Sequence, residues 1–440
     1  MCCLITYLYL FPAVLILSAY VVLIFTRPYL VYSFALSSVV LCPIAKVFMP
    51  ISATLTTFFL ALSAGIACLF RNNFVYIINK IGKPLCLLGL WLALGVLWSE
   101  NITYGQYKIL FYFVYCFLLI FLSCQALNTY NKIRSALIVL MGSLSIYAVL
   151  NPIMFFYGFT SFEGERYGGL LDVVVSSRFI GLLFVVLVVV FLNINIWRRI
   201  LCSFLLFPVI LQILFSGTRT VMIAILITMI ALCFLLKFNH KKVYGLSMLL
   251  FVIFSLGILF LIFTGRTQTL SRFLQIPLIS SNASYVENPE SRIKLQKAAF
   301  QMFIENPIVG VGTGNYGKQA VEKINLPWYL QVRYLYDLNS KEYPHNIFLE
   351  IASENGLVGL LLLVLVIIRT TEMLGLVVKS YKNKSIEQKI MIEIIFSILI
   401  YGFIVAQTSL DLPRQYVLWW GVALVSSLYS VETRAEKEIL

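Results

Sequence analysis

His345 is one of only two histidines in the chain, and its position is the one that could do chemistry. It stands where a long polar stretch meets the next apolar run. An imidazole at such a boundary can gain or lose a proton near neutral pH, which is what general acid–base work requires. Three arginines could work with it. Arg166 lies in Gly164-Glu165-Arg166-Tyr167-Gly168-Gly169, Arg219 in Ser216-Gly217-Thr218-Arg219-Thr220, and Arg292 opens a stretch of helical periodicity. Each has an ordinary reading. Arg219 could be a boundary residue that snorkels to headgroups. Arg292 could be a solvated charge on an interfacial helix, and His345 an interfacial histidine. Taken together they say more, because all four map to one side of one membrane. A guanidinium offers phosphate oxygens a planar fork and never loses its charge. Such a set suits a site that binds a diphosphate without a metal.

Asn346, Glu350 and Arg178 are candidates to support this group. Glu163, Glu165, Asp172, Glu287, Glu290, Asp337, Glu342 and Asp411 also map near the same side, and the sequence does not choose which carboxylate orients His345. His240 sits among Lys241 and Lys242 and reads as a topology charge. Gly312-Thr313-Gly314-Asn315-Tyr316-Gly317 matches the dinucleotide fingerprint, but that motif needs a βαβ unit. Here it follows a helix, and a glycine-rich turn is the better reading. No paired carboxylates, P-loop, H-E-x-x-H or Ser-His-Asp pattern stands out. The nine cysteines imply neither a disulfide framework nor metal spacing, so no cofactor is expected.

The elements that must position these residues are membrane spans. The chain is 61% hydrophobic and 12% charged, with mean hydropathy +0.93. Apolar runs reach the roughly 20 residues needed to cross a bilayer. They fall near 4–26, 29–45, 47–70, 85–98, 108–127, 135–158, 179–197, 200–216, 220–238, 243–264, 346–368, 390–411 and 415–431. The expected fold is an all-α polytopic bundle of about 12 transmembrane helices. The first run lacks a charged leader and a cleavage site, so it reads as a retained span. The net charge of +14 would suggest nucleic acid in a soluble protein. Here the basic residues cluster in short loops, so it reads as topology and contact with membrane lipids, with no nucleic-acid partner.

The basic loops are Arg71/Lys80/Lys83, Lys132/Arg134, Arg198/Arg199, Lys237/Lys241/Lys242 and Lys379/Lys382/Lys384. Counting spans puts all of them on one side, which the positive-inside rule makes cytoplasmic. The other side receives Ser99–Tyr107, Thr160–Arg178, the Gly217-Thr218-Arg219 turn and the long loop Gly265–His345. The orientation of the N-terminus stays open. Three regions result: an N-terminal bundle at 1–264, an outward loop at 265–345, and C-terminal spans at 346–440. A loop of this length is too long for a connector. Within it Ser291–Asn306 should form an interfacial helix, started by Glu290-Ser291 and stopped at Asn306-Pro307. The aromatic tail Trp328–Tyr343 suits the headgroup zone.

From about 160 to 368 these pieces, in order, resemble the O-antigen ligase and O-antigen polymerase family. Arg166-Tyr167-Gly168-Gly169 is similar to its Arg-x-Gly-Gly loop, and Ser216-Gly217-Thr218-Arg219 to its Ser-x-x-Arg turn. Arg292 opens a helix, and after it Asn306-Pro307-Ile308-Val309-Gly310-Val311-Gly312-Thr313-Gly314-Asn315 resembles the family's Asn-Pro-hydrophobic-Gly run. His345-Asn346 through Gly356 and Gly359 closes the set. Ile223 stands where the family often has leucine. The resemblance implies a bacterial inner-membrane enzyme with its active site facing the periplasm. It would be an inverting transferase moving O-antigen or a similar polysaccharide from undecaprenyl diphosphate to the lipid A–core acceptor. His345 would be the base, and Arg219, Arg292 and Arg166 the diphosphate ligands. A repeat-unit polymerase of the same family is the alternative. A non-catalytic transporter of lipid-linked glycan is a further one, although a transporter would more often show mid-membrane charges and an internal repeat.

Overall fold

The computed structural model describes residues 20, 22–46, 52–70, 78–156, 161–163, 166–235, 289–323, 343–408 and 410–439. The expected spans 4–26 (but for its last residues) and 243–264 lie outside these, as do His240, Glu287 and most of the aromatic tail. Every other expected span coincides with a helix. In chain order the helices are α1 (Pro28–Lys46), α2 (Ala53–Phe70), α3 (Lys83–Gly95), α4 (Ile102–Phe111), α5 (Leu119–Ala126), α6 (Tyr130–Phe156), α7 (Val173–Asn193), α8 (Ile196–Ser216), α9 (Arg219–Leu235), α10 (Pro289–Glu305), α11 (Tyr316–Lys323), α12 (Ile347–Ser380), α13 (Ile386–Ala406) and α14 (Tyr416–Ile439). A π-helical stretch, Tyr112–Leu118, joins α4 to α5. Among the described residues seven helical segments are long and apolar enough to cross a membrane. Helices are what such runs must form, because a lipid-buried backbone has to satisfy its own hydrogen bonds.

Local signals set the boundaries. Asn101, Asp172 and Asn346 each accept a backbone N–H from the first turn of the helix they precede. Ser385 and Gln388 form a capping box at the start of α13. Gly217 ends α8 in the left-handed conformation. The segment 160–178, expected as an outer loop, differs in detail. It holds a short hairpin, β1 (Ser161–Glu163) with β2 (Arg166–Gly169), and α7 begins already at Val173. Arg178 therefore lies inside the helix. It can do so because neighbouring polar groups receive its guanidinium.

The basic loops among the described residues sort to one end of the bundle. Arg134 pairs with Glu387 at 2.8 Å and Lys384 with Glu432 at 2.6 Å. Lys80 lies 4.7 Å over the Tyr429 ring, and Asn193 donates to Glu393 at 2.8 Å. The described parts of the other segments lie at the other end. There Lys318 meets Glu100 at 2.8 Å, and Tyr104 of α4 meets Asp411 from the α13–α14 connection at 2.8 Å.

The expected loop helix is α10: it begins at Pro289, just ahead of the predicted Glu290-Ser291 start, and ends at Glu305, where Asn306-Pro307 predict. Its Leu295, Ala298, Ala299 and Met302 bury against Tyr316 and Ala320 of α11, while Ile293, Phe300 and Ile304 stay exposed. The glycine-rich run after α10 is a turn wedged into the bundle. Thr313 donates its N–H to the Gly95 carbonyl at 3.0 Å, and Gly312 donates to that of Glu354 at 2.9 Å. Gly312 has φ +103, and a Cβ there would meet the Ser99 backbone. Helix α12 is broken at Gly356 (φ 64, ψ −162). The break frees the Leu357 N–H, which donates to Pro307 O at 2.7 Å. Loop and broken helix thus satisfy each other's backbone groups.

Candidate functional site

His345 sits just before the cap of α12, in the left-handed conformation at φ 57. For a side chain with a Cβ that costs roughly 1–2 kcal/mol. The adjacent cap fixes the chain direction on its C-terminal side, since Asn346 Oδ1 accepts from both Phe348 and Leu349 N–H at 3.0 Å. The Tyr343 ring meets the imidazole edge-on at 4.8 Å. His345 Nδ1 is buried and has no hydrogen-bond partner among the described residues. Burial, with the charges of Arg292 and Arg178, pushes the imidazole down to about 4, the Thr408 backbone acting in the opposite sense. At neutral pH the ring is therefore uncharged, the form a base needs.

Arg178 is buried on α7. Its Nη2 donates to the Val405 carbonyl at 2.6 Å and its Nη1 to Gln415 Oε1 at 3.1 Å. Tyr401 donates its hydroxyl to the Arg178 carbonyl at 3.0 Å. Arg292 approaches from the first turn of α10 and acts electrostatically on both His345 and Arg178. Arg219 begins α9. Two residues on, Val221 packs at Gly181 beside Tyr401, so α9 starts at the level of Arg178. Arg166 lies in β2, and its side chain is outside the described set. Glu350 does not orient His345. Its Oε1 accepts from Lys108 at 2.6 Å and its Oε2 from the Leu412 N–H at 2.9 Å.

Sequence reasoning missed a second charged group beside the first. Lys108 Nζ also donates to both oxygens of Glu354, at 2.8 and 2.7 Å. All three side chains are 4% exposed or less. Next to them Arg414 donates its Nε to Asp411 at 2.5 Å and its Nη2 to the Tyr104 hydroxyl at 3.0 Å. Burial raises the Asp411 carboxyl, but Arg414 and then Lys108 outweigh it and hold the group below the usual carboxylate range. The Arg414 guanidinium lies 5.7 Å over the Tyr343 ring. A narrow cleft with room for about one water-sized group lies here, lined among others by Arg178, Arg414, Gln415 and Leu410. A signal for this group is present in the chain. Lys108 opens a span, and Glu350 and Glu354 share one helix face at i, i+4. Ionisable residues inside spans are functional or architectural by default.

The arrangement joins an uncharged imidazole, on a strained backbone, to several guanidinium groups at one end of a membrane bundle. It can take a proton from a hydroxyl and hold an anionic leaving group. Residues 204–364 match the model of the O-antigen ligase family. No curated protein matches the chain. The protein is thus a multi-pass membrane protein carrying an O-antigen ligase family segment. That segment contains Arg219, Arg292 and His345, while Arg178 and Arg414 lie outside it.

Proposed function

We propose that the protein transfers a glycan from undecaprenyl diphosphate to the lipid A–core of lipopolysaccharide, as an O-antigen ligase of the bacterial inner membrane. The observation that carries this reading is the half-buried, uncharged His345 beside Arg178 and Arg292. An acceptor hydroxyl attacks the anomeric carbon, and its proton passes to the imidazole. The bond from that carbon to the diphosphate oxygen breaks, and the electron pair leaves with the lipid diphosphate. Attack from the face opposite the leaving group inverts the anomeric configuration. Arg292, Arg178 and Arg219 stabilise the charge that develops on the diphosphate, and Arg166 is a further candidate ligand. The glycosyl diphosphate bond supplies the driving force, so neither nucleotide nor metal is required. The basic loops at the opposite end support a periplasmic site.

The test is the surface glycan of a deletion strain, complemented with wild-type protein or His345→Ala. Loss of a ligase leaves whole polymers on the carrier lipid. Single repeats on the core would instead identify a repeat-unit polymerase, and an unchanged glycan in the His345→Ala strain would refute the general base.

A further inference from the structure

We propose that Arg414 is a further phosphoryl ligand of this site, resting on the transferase reading above. Its side chain is held in a fixed direction. Asp411 holds the Nε edge, the Tyr104 hydroxyl holds Nη2, and the Tyr343 ring lies beneath the plane. Nη1 has no hydrogen-bond partner among the described residues. A guanidinium fixed along one edge and one face offers its remaining N–H groups in a set direction, with little entropy left to lose on binding. That direction is constrained by the surroundings. Arg414 and Arg178 line the same cleft together with Gln415, which accepts from Arg178. The Tyr343 ring that supports Arg414 also packs edge-on against His345. A phosphoryl group received by Arg414 would therefore lie one aromatic ring away from the base.

The simpler role for Arg414 is to pin residues 410–415 onto α4 through Tyr104. Asp411 could do that alone, since its other oxygen already accepts from the Tyr104 hydroxyl at 2.8 Å. The Asp411–Arg414 pair also does not cancel the site. The carboxylate faces the Nε edge and works as a backing group that orients the fork, leaving the Nη1 side to an incoming anion.

The ligand named is a lipid-borne diphosphate, and the probe is undecaprenyl diphosphate without a glycan. Undecaprenol, which lacks the phosphates, is the control. Arg414→Gln should weaken undecaprenyl diphosphate binding roughly ten- to a hundredfold, the loss of one hydrogen bond to a charged group. Undecaprenol binding should not change. Arg414→Lys should recover only part, because it keeps the charge and loses the fork. If Arg414→Gln does not fold, the wild-type protein answers the question. Arginine modification by phenylglyoxal, mapped by mass spectrometry, should be blocked at Arg414 by undecaprenyl diphosphate and not by undecaprenol. Wild-type diphosphate affinity in a folded Arg414 variant, or equal modification with and without the diphosphate, overturns the assignment of Arg414 alone. If wild-type protein binds undecaprenyl diphosphate no better than undecaprenol, the transferase reading itself fails.

Discussion

Replacing Lys108 with methionine removes the single cation that serves two buried carboxylates. Lys108 Nζ makes contacts of 2.6 to 2.8 Å with Glu350 and Glu354, and none of the three side chains is more than 4% exposed. Breaking a buried ion pair from one side costs about 3–5 kcal/mol, because the partner charge is stranded away from water. Two carboxylates are stranded here. They will not both stay charged so close together, and at least one takes up a proton, which limits the cost. The expected loss for Lys108→Met is therefore near the upper part of that range, about 4–5 kcal/mol, and not twice the value. Reversible unfolding in mixed detergent micelles would measure it. The buried set has a second consequence. Adding Glu350→Gln and Glu354→Gln to Lys108→Met should recover most of the loss, since replacing a whole buried set by neutral groups of similar volume is often tolerated. The amides also keep acceptors for the Leu412 and Tyr316 N–H groups that the carboxylates now receive. If Lys108→Met falls within ~1 kcal/mol of wild type, or if the triple variant is worse than the single one, the buried pair does not hold α4 to α12 in the way argued.

His345→Ala should abolish transfer while the protein still inserts and binds the lipid diphosphate, as read by donor retention beside product formation. With the imidazole held at about 4, below its ordinary value, the acid limb of kcat/KM should fall near pH 4 instead of pH 6.5. The limb of kcat should lie higher, because a bound diphosphate offsets the charges of Arg178 and Arg292. The same depression means that stability is intact above pH 6.5 and is lost as pH falls from 6.5 towards 4, by about 2–3 kcal/mol, a loss that His345→Ala should remove. Arg219→Lys should lose most donor binding, and wild-type affinity in that variant would remove Arg219 from the site. Gly356→Ala should destabilise the fold by at least about 1–3 kcal/mol, since its φ/ψ region is essentially glycine-only and a Cβ would collide with the Ile308 carbonyl. Thermal unfolding in detergent checks it. Transfer by purified protein should persist in excess EDTA, and activity restored only by magnesium would overturn metal-independent leaving-group stabilisation.

How much of the molecule is legible in the chain depends on the range of the interactions involved. Hydrophobic runs and their caps are local, so period and length place the helices from α1 to α9 and α12 to α14. Glu290-Ser291 and Asn306-Pro307 place loop helix α10 to within a residue or two. The glycine run is recognisable as a turn, but not as a wedge. Its partner is the break in α12 at Gly356, some forty residues on, and a break inside an apolar run has no mark beyond one glycine. The site divides in the same way. His345 and Arg219 at the ends of spans, and Arg292 in the loop helix, can be picked out by side and type. Arg178 stands out by type, yet its depth does not, because its partners Val405 and Gln415 come from distant segments. Arg414 escapes notice for a related reason. Beside Asp411 it looks like a local i, i+3 pair, and only the fold reveals that Tyr104 and Tyr343 turn that pair into an aimed guanidinium. A charge whose meaning depends on the groups behind it cannot be weighed from its neighbours in sequence. The same holds for Glu350, one of several carboxylates that could have oriented the histidine, which is instead committed to a lysine from another helix.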